Sequence, residues 1–173
     1  MLRLFGIFLC LGVFGVVSAQ DDFYFAPCAF ALPAGEVEGE TILCGYIYMP
    51  ENRADANNDN EIEIAFAALR SSAAQPEPEP LLYLEGGPGG SAVSYVQDWV
   101  NSAYRQRYDI ILIDQRGTGF SLPSLNCTEY DDGFNVTNRC AARLRDAGVN
   151  LSAYNSAESA DDVADLALAL NLP

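Results

Sequence analysis

Between residues 81 and 114 the chain holds two short apolar runs, LLYLE and YDIILID, separated by a glycine-rich block and a stretch with helical spacing. Nothing else in the sequence narrows the fold as much. Both runs are short and apolar at successive positions, the pattern of strands buried on both faces. The first ends abruptly in Gly86, Gly87, Pro88, Gly89, Gly90 and Ser91. From residue 91 to about 106, Val93, Val96, Trp99 (or Val100) and Ala103 share one side of a helix. Strand, helix and strand at this spacing make a βαβ unit, whose two strands lie parallel in one sheet.

Upstream, residues 41–49 (TILCGYIYM) and 61–69 (EIEIAFAAL) are rich in β-branched and aromatic residues, and Glu/Ile alternation opens the second. They read as an antiparallel pair at a sheet edge, joined by the polar loop PENRADANNDN. Residues 23–40 read as irregular and tied down by Cys28. Pro76, Pro78 and Pro80, interleaved with Glu77 and Glu79, make a stiff connector. Downstream, residues 115–154 hold Gly, Pro and Asn, with at most a short helix near 139–147. Residues 156–170 (SAESADDVADLALAL) read as a helix capped by Ser156, with Glu158, Asp161 and Asp162 at its positive end. Its expected buried stripe is Val163, Leu166, Ala167 and Leu170. In a parallel α/β fold such a helix leads into another strand.

Nine arginines stand against twenty-four carboxylates, there is no lysine, and there is no histidine. A net charge of −15 excludes nucleic acid and anionic membrane surfaces as partners. Without lysine a Walker-type phosphate loop is impossible. Without histidine these residues cannot assemble a Ser-His-Asp triad. Arg3, the apolar run over 4–17 and the sequence Val17-Ser18-Ala19 make a secretory leader cleaved after Ala19. Fourteen apolar residues are few for a membrane span, which needs about twenty, so no stable membrane association is expected after cleavage. Once Cys10 leaves with the leader, Cys28, Cys44, Cys127 and Cys140 remain, an even count that reads as two disulfides in an exported chain. Sequence order favours Cys28 with Cys44 and Cys127 with Cys140, among three possible pairings. With no CxxC pair and no His, neither a metal nor another cofactor is expected. Sequons for N-glycosylation stand at Asn126, Asn135 and Asn150.

The glycine block puts bare backbone at the carboxyl end of a buried strand, where open α/β sheets bind ligands. Its N–H groups can face a developing negative charge; the bland alternative is a tight turn that needs positive φ. Gly87-x-Gly89-x-x-Ala92 also satisfies the dinucleotide fingerprint, with Asp114 where a ribose-binding acid would sit. Against that, Pro88 stands inside the phosphate turn and two antiparallel strands come first.

LEGGPGGSA, followed about thirty residues later by DQRGTGFS, resembles the secreted α/β-hydrolases of the prolyl aminopeptidase and tripeptidyl aminopeptidase group. CGYIYMPENR and YNSAESADDVADLALAL are similar to that group's first-strand segment and to the helix before its nucleophile. The resemblance implies the amino-terminal part of an α/β-hydrolase fold, with antiparallel strands 1 and 2, parallel strands 3 and 4, and the sheet order 1-2-4-3-5. The family's HGGPG falls on Glu85, Gly86, Gly87, Pro88 and Gly89. The N–H of Gly87, following Gly86, is then the expected oxyanion donor. Glu85 stands where relatives carry His, a departure that a backbone donor tolerates. Asp114, Gln115, Arg116, Gly117, Gly119 and Ser121 match DQRGxGxS and are expected to form a supporting loop. Arg116 would fix the two loops through a neighbouring carboxylate, Asp114 among the candidates, or through carbonyls; its simpler role is a solvated salt bridge.

No G-x-S-x-G occurs in the chain. In this fold the order is Ser, then acid, then His, and the nucleophile elbow follows the fifth strand. Residues 20–173 are therefore expected to be an incomplete domain that lacks the catalytic triad and is inactive alone. It should also fold poorly alone, because Leu81–Leu84 would lie at an apolar edge that the fifth strand covers. For the whole protein the resemblance implies a secreted serine aminopeptidase acting on a peptide or a small amide or ester. The alternatives are a secreted non-catalytic binding module and a dinucleotide-binding domain.

Overall fold

A computed structural model of the protein describes residues 23–57, 59–129 and 135–173; the expected leader, with Cys10, lies outside the described residues. The strands are β1 (Phe23–Phe25), β2 (Ile42–Pro50), β3 (Glu61–Leu69), β4 (Leu81–Leu84) and β5 (Ile110–Ile113). They form one mixed sheet in the order β1-β2-β3-β5-β4. β2 and β3 run antiparallel from Ile42 opposite Leu69 to Pro50 opposite Glu61. β3 is also antiparallel to β5, while β4 and β5 are parallel, Leu81 beside Ile110 through Leu84 beside Ile113. The expected strands 1 to 4 are thus β2 to β5, in the expected order 1-2-4-3.

β1 corrects the expectation of irregular structure over 23–40. Three residues are too few for periodicity to register. FYF becomes a strand by pairing with β2, where Tyr24 lies opposite Tyr46 with the rings 5.6 Å apart. The β2–β3 pair is therefore not at the sheet edge, because β1 covers its outer side and β5 its inner side.

Alternation along the strands divides the core between the two faces of the sheet. On one face Ile42, Cys44, Ala67, Leu69, Ile110 and Leu112 pack against Val93 and Val96 of the crossover. On the other, Ile62, Ile64, Phe66, Ile111 and Ile113 pack against Leu166 of the last helix. β5 is buried along its whole length because both faces are covered. β4, at the edge, is only half-buried and leaves Leu84 exposed.

The crossover is not the single helix expected over 91–106. It comprises a 3-10 turn at Val93–Tyr95, α1 (Val96–Val100) and a second 3-10 segment at Ala103–Gln106. Ser102 makes the break: its backbone is extended and its side chain accepts the Tyr104 N–H, the local competition that hydroxyl side chains offer a helix. Ala103 consequently turns outward and Arg105 turns in. Arg105 grips both carboxylate oxygens of Glu36, at 2.7 and 2.6 Å, and its Nε donates to the Arg70 carbonyl at 2.8 Å.

The hydrogen bonds from Arg105 hold the Glu36 carboxyl below its ordinary pKa, outweighing burial. A carboxyl whose folded pKa is depressed adds stability above the unfolded value and loses it as pH falls through the folded value. Glu36→Gln should therefore flatten the acid limb of the melting-temperature profile below about pH 4.5 while lowering the neutral-pH value. An unchanged acid limb would show that the pair contributes nothing.

Two further helices are α2 (Val136–Asp146), which starts before the short helix expected near 139, and α3 (Ser156–Ala169). The disulfides pair as sequence order favours, Cys28 with Cys44 and Cys127 with Cys140, with Cα separations of 5.2 and 5.3 Å. The N-cap of α3 is Asn155 rather than Ser156; its Oδ1 accepts from the N–H groups of Ala157 and Glu158. The expected apolar stripe is also displaced. The buried positions of α3 are Glu158, Asp162 and Leu166, four residues apart, with Val163 and Leu170 half-buried beside them. Among the described residues no helix is long and apolar enough to cross a membrane.

Candidate active site

β4 ends at Leu84, and the chain turns sharply through Gly86–Gly90, closed by the Gly90 N–H donating to the Gly86 carbonyl at 3.0 Å. Gly87 sits at φ 128°, a backbone conformation that side-chain-bearing residues avoid. Among the described residues none accepts a hydrogen bond from its N–H. So the turn needs positive φ and also leaves a donor unused.

The turn is held in place by the loop that follows β5. Gln115 donates from its side-chain amide to the Glu85 carbonyl at 2.9 Å. Asp114 is completely buried and joins both loops. One carboxylate oxygen accepts the Val93 N–H at 3.0 Å; the other accepts the Ser91 hydroxyl at 3.0 Å and the Phe120 N–H at 2.8 Å. Burial pushes the Asp114 carboxyl up in pKa, opposed by these donors. Gly119, at φ 52°, passes so close that a Cβ there would lie 2.0 Å from Asp114 Oδ2. Ser121 donates to the Asp114 carbonyl at 2.7 Å and accepts the Ala65 N–H at 2.9 Å, fastening the loop to β3.

This geometry corrects two expectations. Asp114 has no free oxygen and no exposure with which to meet a ribose, which removes the basis of the dinucleotide alternative. Nor is it the partner of Arg116. The Arg116 side chain is 1% exposed, so it is not a solvated salt bridge either. It makes a two-pronged contact with Asp162, Nε to Oδ2 at 2.8 Å and Nη2 to Oδ1 at 2.6 Å. Its Nη1 donates to the carbonyls of Glu51 at 2.6 Å and Ala153 at 2.8 Å. A second cation, Arg53, reaches Glu158, Asp162 and Asp165 at 2.7–2.9 Å. Glu51, also buried, accepts the Asn150 N–H and the Tyr154 hydroxyl. Thus α3 is docked on the sheet by a buried ionic cluster that also anchors the loop after β5.

In the sequence Glu51 and Arg53 had no assigned role, and Glu158 and Asp162 had only a place at the positive end of the helix dipole. Arg53 and Glu51 lie in a polar loop where charge is unremarkable. The one available signal was the i, i+4 alignment of Glu158 and Asp162 with Leu166, which places the two acids on the buried face.

Between the glycine turn, residues 115–118 and the amino end of α3 lies an open cleft of about 530 Å³. Glu85, Gly86, Gly87, Pro88 and Gly89 form one wall; Gln115, Arg116 and Gly117 form its floor. Asp114, Gly119 and Ser121 lie beneath and do not face it. Leu125 and Asn126 close another side, next to the disulfide that ties Cys127 to α2. Cys28 and Cys44 are remote from the cleft and belong to the core.

The profile of the alpha/beta hydrolase fold matches residues 79–172, more than half of the chain. The chain belongs to the α/β-hydrolase family. Among curated proteins it is 29% identical over 137 residues to "Putative hydrolase YuaR" of Escherichia coli (strain K12), covering 73% of this chain and 26% of that protein. It is 36% identical over 76 residues to "Probable proline iminopeptidase" of Streptomyces coelicolor, covering 44% and 23%. With "Tripeptidyl aminopeptidase" of Streptomyces lividans it shares 30% identity over 96 residues, 51% of this chain and 17% of that protein. The chain spans about a quarter or less of the length of these relatives. In α/β-hydrolase terms, β4 is the fold's third strand and the cleft opens at the carboxyl ends of its third and fourth strands.

Proposed function

We propose that residues 20–173 are the amino-terminal part of an exported serine hydrolase of aminopeptidase type, and that the Gly87 N–H supplies half of its oxyanion hole. One observation carries this: a backbone N–H with no partner among the described residues belongs to a glycine that lines an open cleft, just after the strand whose loop gives α/β-hydrolases one oxyanion N–H. The relatives named as peptidases support the choice of peptide bonds over other amides and esters. Export is supported by the leader-like sequence over 1–19 and by the two disulfides.

A serine would attack the scissile carbonyl, and the tetrahedral oxyanion would be held by the Gly87 N–H and by the N–H that follows the serine. Each such donor stabilises the transition state by about 2.7–4 kcal/mol. The buried Asp114, Gln115 and Ser121 contacts keep the donor from moving as charge develops. Residues 1–173 hold neither G-x-S-x-G nor His, so on this reading the serine, acid and histidine would be supplied from outside them.

A fluorophosphonate probe tests the reading. Applied to the protein expressed from its complete reading frame, it should label one serine outside residues 1–173 and abolish amino-terminal cleavage of peptides. Absence of labelling together with absence of peptide cleavage would leave a binding module in its place.

A further inference from the structure

The wall that carries Gly87 also carries a carboxylate with no cation to balance it. Among the described residues that line the cleft, only Arg116 and Glu85 are charged. Arg116 is neutralised by Asp162. Glu85 has no arginine within ion-pair distance among the described residues, yet its side chain is fixed. One oxygen accepts the Gly86 N–H at 3.1 Å, and the other accepts the Tyr83 hydroxyl. A Cβ on Gly90 would meet Glu85 Cγ at 2.4 Å, so the side chain lies flat against the glycine turn.

A fixed negative charge beside an oxyanion donor opposes the charge that the donor serves. The conflict disappears if the substrate brings its own cation to that spot. We infer that Glu85 receives the protonated amino terminus of the substrate, which makes it a specificity-determining residue; this rests on the aminopeptidase reading above. The same geometry selects length. The carboxylate touches the N–H one residue before Gly87, and successive Cα atoms are about 3.8 Å apart. Ammonium and scissile carbonyl are then held within the span of a single residue. An extended tripeptide, at about 10 Å, is too long. The bond cleaved is the one after the first residue.

The test uses the full-length protein with alanine p-nitroanilide, its N-acetyl derivative and trialanine p-nitroanilide. Wild type should prefer the free-amine single residue. Glu85→Gln keeps the size but removes the charge; it can still accept the Gly86 N–H through its one amide oxygen, while its NH2 would donate to the Tyr83 hydroxyl instead of accepting from it. It should raise KM for alanine p-nitroanilide about ten- to a hundredfold and leave the N-acetyl compound unchanged or faster. Equal losses on both compounds, an unchanged KM, or a wild-type preference for the tripeptide would each overturn the inference. Calorimetric titration with L-alaninamide needs no turnover: weaker binding to E85Q supports the assignment, and equal binding overturns it. If the fluorophosphonate probe labels nothing but alaninamide binding still depends on Glu85, the hydrolase reading falls, and with it the role in cleavage specificity, while Glu85 remains an ammonium-binding residue.

Discussion

Arg116→Met should lower the free energy of unfolding by about 3–5 kcal/mol, the largest loss expected from any single side chain near the cleft. Methionine fills much of the volume but supplies no donors. Asp162 would keep only Arg53, and the carbonyls of Glu51 and Ala153 would lose their buried donor. Breaking one side of a buried ion pair costs far more than the pair adds over an apolar substitute, because the orphaned charge stays out of water. The double change Arg116→Met with Asp162→Leu should therefore recover part of the loss, and a urea-denaturation cycle measures the coupling. Arg53→Met should cost less, since that side chain is 21% exposed and water can replace it. Losses that simply add in the cycle would mean that the cluster is not a unit.

Gly87→Ala should reduce kcat of the full-length enzyme by about 10²–10³-fold with little change in KM. A built Cβ would meet its nearest neighbours, the N atoms of Gly90 and Gly89, at 3.4 and 3.5 Å, so crowding is not the obstacle. The obstacle is φ, 128° in a region that alanine avoids. The turn must either bear strain of about 1–3 kcal/mol or rotate, and rotation carries the N–H away from the developing oxyanion. Binding of the ground state uses other contacts, so the effect falls on kcat. Steady-state kinetics beside a thermal melt separate the outcomes. An intact kcat in a folded variant would remove Gly87 from the oxyanion hole. Gly119→Ala is the contrasting lesion, because its Cβ would strike Asp114 and unfold the loop rather than slow the chemistry.

What could be read from the sequence followed local chemistry. LLYLE and DIILID read as buried parallel strands because a strand covered on both faces must be apolar at successive positions; both are found parallel, but only β5 is buried, while β4 lies half-buried at the sheet edge. The glycine turn was legible because positive φ and close approach leave few residue types to choose from. The crossover was misread at Ser102, where apolar spacing continued but a hydroxyl satisfied the next turn's N–H and ended the helix. β1 was missed because three residues hold no period, and only the presence of β2 makes them a strand.

The charges divide along the same line. By itself the sequence determined the parallel strand–crossover–strand unit and the two loops that build the cleft, since each depends on short-range pattern or on residues with few alternatives. It favoured one disulfide pairing among three, and the strand order followed only from the family resemblance. Only the tertiary structure decided which carboxylate meets which arginine. Asp114 lies two residues from Arg116, yet it serves backbone donors, while Arg116 reaches Asp162, forty-six residues on. With twenty-four acids and nine arginines many pairings are chemically equivalent. Burial separates them, because a desolvated charge must find partners at hydrogen-bond distance and only the folded chain brings them there.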